Sequence, residues 1–237
     1  MEVKIFDTAE LTVAKMALKF SELVHKSVKG RIHVALSGGA TPNQLFSLLR
    51  DEYQHSIPWE IIHFYWVDER FVPPANPESN YHWADYYLLM HVDIPVGNIH
   101  RIKGEANPSE ELIRYSKEIA ALVPQQDGYP RFDIIFLGMG TDGHTGSIFA
   151  DQMELLTTNR FCSIGVHPQT RQRRLTFTGK LINNAEYVAF LVTGADKALA
   201  VEKVIKEKDI TLPATHIQPT SGVLEWYLDR AASSKLK

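Results

Sequence analysis

The sequence predicts an α/β fold in which a mostly parallel, doubly wound sheet is flanked by helices. Apolar segments of strand length alternate with segments of helical character along the chain, as in parallel sheets with helical crossovers. Several predicted strands run directly into glycine-containing loops, as at the ligand-binding edge of open α/β sheets. At 237 residues, and without a repeat or a break in composition, we expect one domain over residues 1–237.

The N-terminal segment predicts a capped helix followed by a buried strand. Asp7 is a suitable N-cap, and Glu10 at the third helical position completes a capping box. Gly30 is a suitable end for this helix. Residues 32–36, which are mostly apolar, then predict a buried strand.

The second helix is expected to begin just after a glycine pair. Thr41 is a natural N-cap, Pro42 fits the first helical position, and Gln44 completes a second capping box. The loop before this helix can therefore present backbone N–H groups at a helix N-terminus, where anions bind favourably.

The remaining elements continue the alternation of strands and helices. Further strands are predicted at residues 61–67, 132–137, 175–178 and 187–192. Further helices are predicted at residues 80–90, from 107 onwards, at 193–207 and at 223–232.

Composition limits the classes of function. The chain is 44% hydrophobic and 22% charged, as in ordinary globular proteins, and it has no apolar run of the ~18 residues that a membrane span needs. Residues 1–7 lack the apolar core of a secretory signal, and the single cysteine, Cys162, suits a reducing compartment. A net charge of −3 argues against nucleic acid as a partner. We expect a cytoplasmic protein, and its oligomeric state stays open.

The segment 132–145 is the most informative, because a buried-looking strand leads into three glycines, an acid and a histidine. Gly138, Gly140 and Gly143 fit the spacing of a dinucleotide fingerprint. That motif also needs an acid about 20 residues later, and residues 159–164 contain none. The ten histidines show no His-x-x-x-His spacing. We therefore expect neither a cofactor nor a metal.

His144 is the strongest catalytic candidate. It follows Gly143 at what the pattern predicts to be a loop-to-helix junction, with Asp142 close enough to shape its environment. Imidazoles titrate near neutral pH and are suited to general-base catalysis. The alternative is a hydrogen-bonded structural histidine. A serine nucleophile is not indicated, because no Gly-x-Ser-x-Gly elbow occurs.

Candidate anion-binding residues follow the other predicted strands, so we expect them at the same edge of the sheet as His144. They are polar, cationic or glycine residues: Ser37, Gly38, Gly39, Thr41, Asp68, Arg70, Arg174 and Lys197. Guanidinium groups bind phosphate in a bidentate manner, and a lysine in the first turn of a helix suggests a nearby anion. Arg174 adjoins a strand, whereas Arg171 and Arg173 are expected to be solvated. Each segment also has an alternative interpretation. Residues 37–39 would be only a tight turn, residues 68–70 would form an ion cluster whose charges pair with one another, and Lys197 would be an ordinary exposed lysine.

Taken together, five segments resemble 6-phosphogluconolactonases. They are Ser-Gly-Gly-Ala-Thr-Pro at 37–42, Trp-Val-Asp-Glu-Arg at 66–70, Ser-Asn-Tyr at 79–81, Gly-Met-Gly-Thr-Asp-Gly-His-Thr at 138–145 and Thr-Gly-x-x-Lys at 193–197. The superfamily also contains glucosamine-6-phosphate deaminases, which carry Asn-Glu-Pro shortly after the histidine. The corresponding residues 147–150 contain no acid. Gly146 and Ala150 depart from the alanine and proline that the lactonases usually have.

The resemblance implies hydrolysis of 6-phospho-D-glucono-1,5-lactone to 6-phospho-D-gluconate, the second step of the oxidative pentose phosphate pathway. In this interpretation the substrate is a small phosphosugar lactone, and His144 activates water without a metal or cofactor. Asp142 orients the imidazole, while the cations and the glycine loop hold the phosphate. A deaminase, or a non-catalytic sugar-phosphate-binding protein, remains an alternative.

Overall fold

The computed structural model of the protein describes residues 1–236. Over that range the strands are β1 (Glu2–Phe6), β2 (Ile32–Leu36), β3 (Ile62–Trp66), β4 (Asp68–Arg70), β5 (Ile99–His100), β6 (Gln125–Gln126), β7 (Tyr129–Pro130), β8 (Ile134–Leu137), β9 (Cys162–Val166), β10 (Arg173–Phe177), β11 (Tyr187–Val192) and β12 (Val223–Asp229). The α-helices are α1 (Ala9–Lys26), α2 (Ala40–Tyr53), α3 (Asn80–Tyr87), α4 (Pro108–Leu122), α5 (Gly179–Asn183) and α6 (Ala198–Val201).

A parallel sheet forms the centre of the molecule. Within the described chain it has seven strands in the order β1-β12-β11-β8-β2-β3-β5, and each neighbouring pair is parallel. Its middle strands β2, β8 and β11 are buried along their whole length. The sheet order reverses direction along the chain, with helices packed against it, so the predicted doubly wound α/β fold is confirmed.

A small antiparallel sheet, in the order β4-β10-β9, lies beside the main one. The predicted strand at 175–178 exists as β10, but it belongs to this second sheet. The register places Arg174 opposite Arg70 and Thr176 opposite Asp68. Two cationic residues from distant parts of the chain are thereby brought side by side. Residues 125–126 and 129–130 form a separate short hairpin.

The C-terminal helix predicted at 223–232 is wrong. Val223–Asp229 is instead β12, which pairs with β1 on one side and with β11 on the other. Its residues 224–229 are all buried, so both faces of the strand are covered and an alternating pattern does not arise. The N-terminal edge strand β1 was not predicted, and none of its five residues is buried.

The predicted helix boundaries are corrected in several places. Thr8, not Asp7, caps α1, and the helix ends at Lys26 rather than at Gly30. The helix predicted at 80–90 becomes α3 followed by a 3₁₀ turn, Leu89–His91. The one predicted at 193–207 divides into a 3₁₀ turn, Ala195–Lys197, then α6 and a π-helical segment, Glu202–Glu207.

The start of α2 also differs from its prediction. Gly39 occupies the N-cap position and Thr41 lies inside the first turn. The Thr41 hydroxyl instead shares a hydrogen bond of 3.0 Å with the Thr193 hydroxyl, which follows β11. A tertiary partner has therefore replaced the local cap. By contrast, the helix predicted from 107 onwards has a local cap, since the Asn107 side chain accepts from Ser109 N at 2.9 Å.

Among residues 1–236, no helix combines the length and the apolar character required to cross a membrane.

Candidate active site

One cavity of about 430 Å³ lies at the carboxyl edge of the parallel sheet. The segments that follow β2, β3, β8 and β11 all reach it, as the topology of an open α/β sheet requires. Its lining contains every predicted anion-binding residue and the candidate base: Ser37, Gly38, Gly39, Thr41, Asp68, Arg70, His144, Arg174 and Lys197. Asp142 does not line the cavity, but it is hydrogen-bonded to His144, which does.

The His144 imidazole is held by Asp142 at one ring nitrogen. His144 Nδ1 and Asp142 Oδ1 are 2.6 Å apart, and this hydrogen bond lowers the pKa of Asp142 to about 2, against the opposing effect of burial. A carboxylate that is ionised at neutral pH can only accept, so Nδ1 carries the proton. The lone pair of the neutral imidazole is then at Nε2, where it can accept a proton from water.

Tight turns in the loop after β8 bring the acid and the imidazole together. Gly140 N donates to the His144 carbonyl at 2.9 Å, and a Cβ at Gly140 would come within 2.1 Å of His144 Nδ1. Gly143 has φ +78°, which favours glycine. The predicted loop-to-helix junction at His144 is wrong, because residues 145–148 form a turn closed by a Thr145–Ile148 bridge.

The glycine pair after β2 forms the wall of the cavity at the start of α2. A Cβ at Gly38 would lie 2.0 Å from Asn80 Oδ1, so only glycine allows this close approach. Gly39 has φ +123° and offers no side chain as a cap. The amide end of the α2 dipole is therefore available to an anion. Ser37 is used structurally, since its hydroxyl donates to the Phe136 carbonyl at 2.9 Å.

Glu69, which sequence reasoning did not single out, organises the neighbouring loop. Its buried carboxylate accepts from Arg70 N, Asn80 N and Tyr81 N, each at 2.8 Å, and from Ser79 Oγ at 2.9 Å. Burial raises the pKa of Glu69, and these four donors oppose that rise. Glu69 thus fixes the start of α3, and with it Asn80, which lines the cavity.

Asp68 joins the loop of the base to the antiparallel sheet. Its Oδ2 accepts from Ser147 Oγ at 2.7 Å, while Ser147 N donates to Thr176 Oγ1 at 3.1 Å. Asn80 Nδ2 donates to the Asp68 carbonyl at 2.8 Å. Because Ser147 is three residues from His144, these bonds set the position of the base relative to β4 and β10.

Arg70 and Arg174 are cationic register partners on β4 and β10. Arg70 Nη1 donates to the Glu78 carbonyl at 2.5 Å, and Arg70 Nε is buried without a hydrogen-bond partner in residues 1–236. Arg174 Nε donates to Gln172 Oε1 at 3.3 Å. Burial, and then the Arg70 charge, lower the pKa of Arg174. Asp68, Glu78 and Glu69 oppose this lowering in part, and a bound anion would relieve the remaining repulsion between the two guanidinium groups.

Lys197 approaches the cavity from the opposite wall. Lys197 was predicted in the first turn of an α-helix, but it is the last residue of the 3₁₀ turn Ala195–Lys197. Its Nζ lies 3.6 Å from Asp196 Oδ2, in a pair whose carboxylate is largely exposed. Such a pair is weak. The turn is fixed by Gly194, whose N–H donates to the buried Asp229 carboxylate at 3.1 Å. Arg171 and Arg173 are exposed, as predicted.

Sequence reasoning assigned no role to Glu69, Ser147 and Thr176, whose hydrogen bonds support the site. Their local patterns are those of ordinary buried residues, although Glu69, like Asn80, lies within a segment that pointed to a family. Across residues 1–236, no group of three or more histidine, cysteine, aspartate or glutamate side chains is arranged to hold a metal ion.

Comparison with known proteins decides the family. The sequence model described as glucosamine-6-phosphate isomerases/6-phosphogluconolactonase matches residues 7–226. The chain belongs to this family. It is 41% identical over 230 residues to the 6-phosphogluconolactonase of Haemophilus influenzae, with 96% of each chain covered. It is 40% identical over 234 residues to that of Aggregatibacter actinomycetemcomitans, with 98% of each covered.

The fold agrees with a solved member of the same family. The 6-phosphogluconolactonase of Trypanosoma brucei superposes with a TM-score of 0.89 at 26% identity, covering 100% of this chain and 98% of that one. The resemblance drawn from the five segments is thereby confirmed.

Proposed function

We propose that this protein hydrolyses 6-phospho-D-glucono-1,5-lactone to 6-phospho-D-gluconate, the second step of the oxidative pentose phosphate pathway. The observation that carries the proposal is the position of His144, with Nδ1 bound to the Asp142 carboxylate, in the same cavity as Arg70, Arg174 and Lys197. The cavity thus combines a base with cations for a phosphate. The names of the relatives, which are 6-phosphogluconolactonases, support the same reaction.

Water is the nucleophile in this mechanism. A lactone is an activated ester, so water can add to its C1 carbonyl while His144 Nε2 takes one of the water protons. The tetrahedral intermediate then collapses with cleavage of the bond between C1 and the ring oxygen. The imidazolium returns its proton to that oxygen, which becomes a hydroxyl group. Asp142 holds the imidazole in the tautomer that this step needs and stabilises the imidazolium.

The cations position the substrate by its phosphate. Arg70, Arg174, Lys197 and the amides of the 38–39 loop are the groups that we assign to the phosphate and to the charge of the intermediate. Holding the phosphate fixes the lactone carbonyl against the base, and such orientation lowers the barrier by reducing the entropy lost in the reaction.

We also propose that the chain acts as one cytoplasmic domain on this small molecule, without a metal and without nucleic acid. The net charge of −3 and the single buried cysteine, Cys162, support this. A deaminase is disfavoured, because residues 147–150 supply no acid after His144.

A coupled assay tests the proposed function. Freshly prepared 6-phosphogluconolactone is supplied to the protein, release of 6-phosphogluconate is followed with its dehydrogenase, and spontaneous hydrolysis is subtracted. We expect turnover of the lactone and no ammonia from glucosamine 6-phosphate. Ammonia release would support the deaminase. Binding of both sugar phosphates without turnover of either would support a non-catalytic binding protein.

A further inference from the structure

One buried aromatic ring touches both the base and a cation of the active site. Phe149 is 1% exposed. Its ring centroid lies 4.8 Å from that of His144, with 44° between the ring planes. The guanidinium carbon of Arg174 is 5.9 Å from the same centroid. The phenyl ring therefore packs near both the imidazole and the guanidinium.

The imidazole needs this second contact. Its hydrogen bond to Asp142 holds one atom only, and the Asp142 side chain is 55% exposed. An imidazole held at Nδ1 alone can still tilt about that bond, and the tilt moves Nε2. Contact with the phenyl ring restricts the tilt.

Phe149 itself is held firmly by the backbone around it. Its carbonyl accepts from Gln152 N at 2.9 Å, and Gln152 side-chain atoms bond both to Val166 N at 2.8 Å and to the Val166 carbonyl at 2.6 Å. On another side, His167 packs edge-on against the ring at 5.3 Å. The backbone of Phe149 is thereby anchored to β9, and its ring packs against His167, which follows β9.

We propose that Phe149 is a positioning residue, which fixes the His144 imidazole and the Arg174 guanidinium relative to each other during the reaction. This inference rests on the proposed lactonase function. The ring also stabilises the charged form of His144 that arises when Nε2 takes a proton, because aromatic faces attract cations within about 6 Å. Both effects act on the chemical step more than on substrate binding.

The test replaces the ring by an apolar side chain without π electrons. In Phe149→Leu we expect kcat to fall about 10- to 100-fold, because displacement of a catalytic group by about 1 Å can cost 10²-fold. Affinity for 6-phosphogluconate, measured by calorimetry, should change less than about threefold, since Arg174 keeps its bond to Gln172. Phe20→Leu is the matched control: Phe20 is fully buried between Trp59 and Phe136 and does not line the cavity. It should lower the melting temperature and leave kcat within about twofold.

A kcat of Phe149→Leu equal to that of the Phe20→Leu control would overturn the proposal, as would a loss confined to ligand affinity. If Phe149→Leu does not fold, a proton NMR spectrum of the unmutated protein tests the contact between Phe149 and His144 instead. The ring-proton resonance of His144 is assigned by its loss in His144→Gln. Because of the phenyl ring current, its chemical shift should differ from that of the exposed His55. Coincident resonances would overturn the proposal. A protein without lactonase activity that nevertheless shows this displacement would instead refute the proposed function.

Discussion

Replacing Asp142 by asparagine tests the link between the acid and the base. The change keeps the shape of the side chain but removes its charge. The pKa of Asp142 falls from 3.8 to about 2, and this corresponds to about 2.4 kcal/mol of differential interaction. Because the side chain is 55% exposed, solvent screening reduces this value, and we take about half of it, ~1.2 kcal/mol. Only the part of this interaction that is made with the imidazolium of the transition state affects kcat, so the loss of charge alone lowers kcat by at most about eightfold.

Asparagine also changes the tautomer of His144. Its amide can donate to Nδ1, which would move the imidazole proton to Nε2 and block acceptance of a proton from water. We therefore expect kcat of Asp142→Asn to fall by at least about tenfold, with KM within about threefold of the unmutated value. The coupled lactonase assay measures both. Asp151→Asn, an exposed acid in the same loop, is the control and should change neither. An unchanged kcat in Asp142→Asn would refute the role that we give to this pair.

The interaction with His144 also gives Asp142 a defined effect on stability. Its folded pKa is depressed, so the stabilisation is present above the unfolded value of 3.8 and is lost as the pH falls towards about 2. At neutral pH, Asp142→Asn should therefore be slightly less stable than the unmutated protein.

Two further predictions concern the cations and a buried histidine. Lys197→Ala and Arg174→Ala should each raise KM for the phosphorylated lactone more than about tenfold, with a smaller effect on kcat. With an unphosphorylated gluconolactone as substrate, both variants should behave like the unmutated protein. An equal loss on both substrates would contradict a role of these residues in phosphate binding. Burial lowers the pKa of the His33 imidazole to about 4 in the folded protein. In the unfolded chain the same imidazole binds a proton below about pH 6.5. The free energy of unfolding therefore falls as the pH drops from 6.5 to 4. Urea unfolding should show up to about 3 kcal/mol of loss over this range, less in His33→Gln, and a pH-independent midpoint would contradict the assignment.

The convergence of the site was predictable from sequence because it follows from topology. Strands β2, β3, β8 and β11 are mostly apolar and are followed by polar or glycine-rich loops, and parallel strands bring those loops to one edge. The pairing of Asp142 with His144 was equally accessible, since two residues in a tight turn are close whatever the rest of the chain does. These local and topological features needed no knowledge of tertiary packing.

Features that depend on distant partners were not predictable. Thr41 has an ideal local pattern for an N-cap, but its hydroxyl bonds to Thr193, 152 positions away. Strand β12 was predicted as a helix, because an apolar run covered on both faces carries no period of two. Likewise, nothing local distinguishes Phe149 from a core phenylalanine. Its contact with His144 depends on the turn at residues 145–148 and on the bonds of Ser147 to β4 and β10.

The most direct measurement of the central claim is the turnover of 6-phosphogluconolactone by His144→Ala, with the spontaneous reaction subtracted and binding of 6-phosphogluconate measured in parallel. If His144 is the general base, kcat falls by about 10²–10⁴-fold while the product still binds with an affinity close to that of the unmutated protein. Turnover at the unmutated rate would contradict the assignment of His144 as the base and, with it, the mechanism.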